Sequence, residues 1–215
     1  MLDGECLNHS IQAHHSSPVK PTEIFDMSRY PPIPPSQLSK EQHAAYDEQS
    51  SIAQSAFGDK FLYKDQDGAF IGPFGPLLYT PNLVDPFMKM VVELGKCPGL
   101  PPAARETAIL ATGSTYKAGY ELYAHGKVAE STALNQEQIT LIKEGKRPEG
   151  LDEACVVAFD VAIELSRKQG PLSDETFQRA EKVLGREGTA ALIHYIALYA
   201  YTCVFLNGVA APVPE

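Results

Sequence analysis

From Gly188 to Leu206 the chain carries no Asp, Glu, Lys or Arg, and its one ionisable nitrogen base is His194. As a helix this stretch is barely long enough to cross a bilayer, which takes about 20 apolar residues. It also carries His194, Tyr195, Tyr199, Tyr201 and Thr202, polar groups that a lipid-facing span would leave unpaired. A helix apolar on nearly every side that does not enter a membrane must be covered by other elements on nearly every side. The stretch 187–206 is therefore expected as a buried core helix.

The covering elements are legible as helices. Ser39-Lys-Glu-Gln42 and Asn135-Gln-Glu-Gln138 are capping boxes, and Asp152 and Ser173 stand where N-caps are needed. Pro101-Pro102 opens a helix ending near Tyr116, followed by one from about Ala118 to Ser131, and Pro86 sits in the first turn of another, about Asn82 to Leu94. The helix opened by Ser173 is expected to stop at Gly185, ahead of the apolar one. Gly68 to Pro76 reads as a Gly/Pro loop. No stretch alternates polar and apolar residues as a half-buried strand does, so the fold class is all-α.

Residues 1–38 differ from the remainder. They hold His9, His14 and His15, and end in Tyr30-Pro-Pro-Ile-Pro-Pro35, a run that fixes φ and removes amide donors. They are expected to form an extended arm, partly flexible, with 39–215 as a single helical domain. Cys6, Cys97, Cys155 and Cys203 are scattered without a CxxC pair, which provides neither zinc-ligand spacing nor a dithiol. Cys155 and Cys203 fall in apolar helical runs and are expected as buried thiols. No basic-then-apolar leader is present, and a cytoplasmic setting with reduced thiols is expected. The net charge of −9 disfavours nucleic acid and anionic membrane as partners.

One pair carries chemistry. Glu121 and His125 stand four residues apart in a helix, so they share a face, with Cβ atoms about 5–6 Å apart. A carboxylate and an imidazole at that spacing can orient or exchange one proton. The same spacing also occurs on solvated helix faces.

Four segments resemble the γ-carboxymuconolactone decarboxylase family, within the alkylhydroperoxidase D-like superfamily. Arg29-Tyr-Pro-Pro-Ile-Pro-Pro35 with Leu38-Ser-Lys-Glu-Gln42 is similar to that family's entry into its first helix. Gly72-Pro-Phe-Gly-Pro-Leu-Leu78 looks like its proline-rich active-site loop. Arg105-Glu-Thr-Ala-Ile-Leu110 followed by Ala118-Gly-Tyr-Glu121 and His125 resembles its signature, and Leu206-Asn207 ahead of Val213-Pro214 its ending. The peroxidase branch carries CxxCxxxH. Setting that frame on His125 places Ala118 and Glu121 at the cysteine positions, so the thiolate and resolving thiol of a disulfide-exchange mechanism are both missing. Where the family reads Leu-Ile-Gly-Tyr, this chain has Leu192-Ile-His194-Tyr195; His194 either lines the pocket or is a core histidine bonded to a carbonyl.

The resemblance implies an alkylhydroperoxidase D-like helical domain and a lyase that removes CO₂, without a cofactor or metal, from a small cyclic keto acid or lactone acid. His125 would be the general acid/base, oriented by Glu121. Glu106 would be a second catalytic carboxylate or a helix-pairing residue, and Arg105 would hold a substrate carboxylate or brace two helices. Tyr116 and Tyr120 are possible donors; Tyr120 and Tyr123 are expected on different helix faces, so that one at most enters the pocket. Phe74, Leu77 and Leu78 would wall the cleft, with His194 and Asn207 completing the substrate contacts. The same Glu/His pair would also serve an isomerase, dehydratase or cyclase of a secondary metabolite, and a non-enzymatic binding role makes the pair structural. The resemblance further implies a small organic acid as partner and a homo-oligomer, a trimer or hexamer.

Overall fold

A computed structural model describes residues 28–168 and 170–214. The first part of the expected arm, with His9, His14, His15 and Cys6, lies outside the described residues. Among the described residues there are helices and turns and a single isolated bridge, Lys64 to Phe70. The helices are α1 (Lys40–Phe57), α2 (Phe74–Leu77), α3 (Val84–Leu94), α4 (Pro102–Tyr116), α5 (Gly119–Ala129), α6 (Gln136–Lys143), α7 (Glu153–Arg167) and α8 (Asp174–Val209), with short 3₁₀ turns at Pro35–Gln37 and Pro81–Leu83.

The expected caps are in place. Ser39 accepts from the Gln42 amide and Asn135 from the Gln138 amide, each with the return bond of a capping box; Asp152 accepts from Cys155 and Ser173 from Thr176. The expected stop at Gly185 appears as a non-helical residue (φ 69°, ψ 176°) inside α8, which separates an amphipathic arm, 174–184, from the apolar arm, 186–209. A positive φ of this kind suits glycine, which has no Cβ to clash. One expectation is corrected. The Gly/Pro loop tightens at its end into the single helical turn α2, because Pro73 (φ −72°, ψ −25°) already has helical dihedrals and leads the chain into it.

The apolar arm of α8 is a core helix, with Leu192, Tyr195, Ile196, Leu198, Tyr199, Thr202, Cys203 and Leu206 all buried. Helices α4 and α7 cover one side of it. Close packing there relies on the small residues of α4, among them Ala104, Ala108 and Ala111, all fully buried. With Leu110, Ile139, Phe159, Val161, Leu192 and Ile196 they form one apolar cluster. A second cluster joins α1, the 61–78 segment, α3 and α5 through Phe61, Phe70, Leu77, Val84, Met88 and Tyr120. A third, smaller one holds Leu94, Ile109, Tyr195, Leu198 and Tyr199. Residues 28–31 lie across the end of α8: Arg29 donates its amide to Val209, and Tyr79 donates its hydroxyl to the Pro31 carbonyl. Leu83, Met90, Tyr201 and Val204 remain exposed.

At its start the apolar arm approaches the loop before α4 so closely that a Cβ on Gly188 would stand 2.4 Å from the Gly99 carbonyl oxygen. Backbone cannot move aside as a flexible side chain does. Gly188→Ala is expected to destabilise the fold by about 1–3 kcal/mol, the usual cost of overpacking, read as a lower urea midpoint at constant m-value; an unchanged midpoint would contradict this close approach.

Candidate functional site

The two halves of the Arg105…His125 motif lie on successive helices, so a turn must bring them face to face. Helix α4 ends at Lys117, which takes the left-handed conformation (φ 53°), and α5 starts two residues later. Asn207 of α8 donates its side-chain amide to the Tyr116 carbonyl (2.7 Å) at this turn. The reversal lays Glu106 against His125, with 2.7 Å between Glu106 Oε2 and His125 Nδ1. The other Glu106 oxygen accepts from Arg105 Nε at 2.9 Å. The far nitrogen of the imidazole, Nε2, is 3.2 Å from Glu121 Oε1. That approach is off the line a hydrogen bond needs, so Oε1 has no donor although it is buried. Glu106, Glu121 and His125 are 1%, 3% and 6% exposed, so water does little to screen the charges of this row.

Burial raises both carboxyl groups, and their different neighbours drive the two proton affinities apart. Glu106 would be raised by its burial, but the charges and hydrogen bonds of His125 and Arg105 outweigh that and hold it below the ordinary 4.5. Glu121 is raised above 4.5 by burial, which the charge of His125 only partly offsets and to which Glu106 adds. For His125, burial acts to lower the pKa, but the two glutamates overcome it and hold the ring above 6.5. Glu106 is thus an anchored anion that can only accept, which fixes a proton on Nδ1. Glu121 keeps its proton more readily than an ordinary carboxyl group. Two titratable groups pushed in opposite directions around a shared imidazole can act as acid and base.

Glu121 and His125 line one side of a cleft with a cavity volume of about 50 Å³. The other walls are apolar: Phe57, Phe61, Phe74, Phe87, Met88 and Leu198. Tyr199 meets the His125 ring edge-on with centroids 4.8 Å apart. Tyr120 also lines the cleft, and its hydroxyl donates to the Leu62 carbonyl at 2.7 Å, while the Leu62 amide donates to the Tyr123 hydroxyl at 3.1 Å. The two tyrosines therefore hold the segment that carries Phe61 over the cleft. Gly72 (φ +63°) lies flat against the Tyr120 ring, where a Cβ would stand 2.2 Å from the ring carbons. A second concavity lies on the Glu106 side of the imidazole, with Lys60, Arg105 and Tyr195 in its lining.

The structure brings together Glu106, Glu121, His125 and Arg105, with Tyr120 and Phe74 at the cleft. It separates others from them. His194 is exposed, neither lining the pocket nor lying in the core, because its helical angle places it on the face of Ala197, Tyr201 and Val204. Asn207 is exposed and braces the α4–α5 turn. Tyr116 is half-buried, receives that brace on its carbonyl, and does not line the cleft. Leu77 and Leu78 are buried in the core behind Phe74 instead of walling the cleft. Tyr120 lines the cleft and Tyr123 does not, so one at most enters it, although the two do not point apart and both hydroxyls meet the Leu62 backbone. Sequence reasoning missed Phe57, Phe61, Phe87 and Met88, which reach the cleft from two other helices and a loop. Tyr199 and Thr202 had a signal: with Tyr195 and Leu198 they form an i, i+3/i+4 stripe on the apolar helix. Cys203 is buried, its thiol pushed up by desolvation, and lies outside the cleft lining.

No family model matches the sequence, and no curated protein matches it significantly. Solved structures do match its fold. One is an alkylhydroperoxidase AhpD core, an uncharacterised peroxidase-related protein from Ralstonia eutropha JMP134, at a TM-score of 0.69 and 16% identity over 88% of this chain and 93% of that one. Another is the debrominase Bmp8, at a TM-score of 0.64 and 14% identity over 82% and 89%. A Cys-to-Ala variant of Bmp8 in complex with 2,3,4-tribromopyrrole matches over the same shares, at a TM-score of 0.64 and 15% identity. The fold is therefore alkylhydroperoxidase D-like.

Proposed function

We propose that the protein is a cofactor-independent carboxy-lyase of the carboxymuconolactone decarboxylase type, acting on a small ring-bearing keto acid or lactone acid. One observation carries this reading: a carboxyl group biased toward its protonated form and an imidazole held by a depressed carboxylate meet at the wall of an apolar cleft. Among the described residues no cysteine lines the cleft, so chemistry through a cleft thiol finds no support in them. The tribromopyrrole held by a protein of the same fold supports a flat, ring-sized ligand, and the phenylalanine walls here suit one.

The reaction needs a carboxylate β to a carbonyl, or vinylogous to one. The bond from carbon to carboxylate breaks, CO₂ leaves, and the electron pair passes to the carbonyl as an enolate. Apolar walls favour loss of the charged group. Glu121 then gives its proton to carbon and the enolate reverts to the carbonyl; His125, as the imidazolium with Nδ1–H held by Glu106, turns its Nε2–H onto the Glu121 carboxylate 3.2 Å away and returns the proton, and the neutral ring takes one proton from solvent to reset. In this scheme Glu121 is the catalytic acid, His125 resupplies it, and Glu106 positions the ring. Arg105 does not take the leaving carboxylate, because an ion pair there would stabilise the ground state and raise the barrier.

The test is CO₂ release with product mass analysis from a panel of lactone acids and cyclic β-keto acids. Mass loss of one CO₂ is expected for at least one member, abolished in His125→Ala. Consumption with no change in mass would assign the same pair to an isomerase or cyclase instead, and loss of one water to a dehydratase. A substrate handled equally by wild type and His125→Ala would remove the imidazole from the mechanism.

A further inference from the structure

Loss of CO₂ from a keto acid leaves negative charge on a carbonyl oxygen, here inside an apolar cleft. An oxyanion without a hydrogen bond is costly in such a place, and a donor fixed there in advance supplies much of the rate. Among the residues lining the cleft, Tyr120, Glu121, His125, Tyr199 and Thr202 carry a side-chain proton that could serve. Glu121 aims its proton at carbon, and the Nε2 proton of His125 resupplies it. Tyr120 gives its single hydroxyl proton to the Leu62 carbonyl at 2.7 Å, and Thr202 gives its own to the Leu198 carbonyl at 3.0 Å. Tyr199 is left. Among the described residues its hydroxyl has no hydrogen-bond partner, and it is not sealed in the core. It therefore opens onto the cavity that the residue lines.

The Tyr199 ring is fixed from two sides. It meets the His125 ring edge-on with centroids 4.8 Å apart, and it stacks on Tyr195 at 6.1 Å and 15°. Burial and the charges of Glu121 and Glu106 push its phenol well above 10, so at neutral pH it keeps its proton and can donate. We infer that Tyr199 is a further catalytic residue, whose hydroxyl donates a hydrogen bond to the substrate's carbonyl oxygen as the enolate charge develops there. This rests on the decarboxylase reading above. No proton passes to oxygen. The electron pair arrives from the breaking carbon–carboxylate bond, the hydrogen bond strengthens, and the pair returns to carbon when Glu121 protonates it. Tyr199 projects from α8 and Glu121 from α5, so the carbonyl oxygen lies toward α8 and the carbon that gains the proton toward α5.

Calorimetric titration of the full chain tests the donor without a substrate. The probes are pentafluorophenolate, a ring with an anionic oxygen at neutral pH, and pentafluorobenzene, the same ring without the oxygen. Tyr199→Phe keeps the ring and removes no bond of the fold, so the variant is expected to remain folded. It should weaken pentafluorophenolate by at least about tenfold, the range of one charge-assisted contact, and leave pentafluorobenzene within about twofold of wild type. A phenolate affinity unchanged by Tyr199→Phe, or no phenolate binding by wild type, would overturn the donor role. Equal losses for both probes would also overturn it, because they would place Tyr199 in packing alone. On any substrate that releases CO₂, Tyr199→Phe should lower kcat by about 10²–10³-fold, the usual effect of removing one oxyanion donor, with KM little changed. CO₂ release that needs His125 but proceeds unchanged in Tyr199→Phe would keep the lyase and overturn the donor. A phenolate effect without CO₂ release from any substrate would keep the oxyanion donor and remove the lyase reading instead.

Discussion

Glu121→Gln is expected to lower kcat by about 10²–10⁴-fold, the usual worth of a positioned acid or base, with a Tm equal to or above that of the wild type. Both halves of the result follow from one geometry. Glu121 is almost fully buried, its Oε1 has no donor, and its pKa is raised by burial and by Glu106. Ionised Glu121 therefore costs the fold something at neutral pH, and a neutral amide of the same shape removes that cost. The amide cannot deliver a proton to carbon, so the chemistry is lost while the packing is kept. KM should change little, because the remaining cleft walls are apolar and untouched. A Tm well below wild type, with activity retained, would show that Glu121 braces the helices and has no part in proton transfer.

Glu106→Gln is expected to be the most destabilising single change at the site, by about 3–5 kcal/mol, the cost of stripping the partner from buried charge. Glu106 is 1% exposed and is the one carboxylate between Arg105 and His125 at hydrogen-bond distance from both. Without its charge, two cations face one another across an amide. For a chain of this length the Tm should fall roughly 6–20 °C. Part of that loss should return in Glu106→Gln/His125→Gln, where the stranded imidazole is gone. The penalty has a pH window. His125 is held above 6.5 in the fold, so its contribution is complete below 6.5 and disappears as pH rises through the raised value. Glu106 is held below 4.5, so its contribution is complete above 4.5 and is lost as pH falls through the depressed value. The wild type should therefore lead Glu106→Gln by most between those limits, with the gap closing toward alkaline pH. A gap that widens as pH rises past 6.5 would show that the imidazole is neutral in the fold.

How far the site was legible depended on whether one helix carried the information. Glu121 and His125 share a face of a single helix, so a spacing of four was enough to pair them. Glu106 lies on another helix, and its contact with His125 depends on the left-handed turn at Lys117 and its brace from Asn207. That turn gives Glu106 the positioning place in the proposed mechanism that sequence reasoning had assigned to Glu121. Asn207 itself looked like a substrate contact and proved to be part of the scaffold. His194 looked unusual only in its motif; its helical angle carries it to the exposed face.

What the sequence alone determined was the set of helices and the need to bury the last one. Caps, proline positions and apolar periodicity act within a few residues, and an uncharged helix needs cover on most of its surface, although here the face of His194, Ala197, Tyr201 and Val204 stays exposed. Which side chains share a cavity, and which way their protons are biased, followed from packing in three dimensions. The cleft draws Phe57, Phe61, Phe87 and Met88 from distant parts of the chain, and the opposite shifts of Glu106 and Glu121 arise from burial and from neighbours on other elements. Desolvation and Coulomb energy depend on distances through space, which spacing along a chain does not specify.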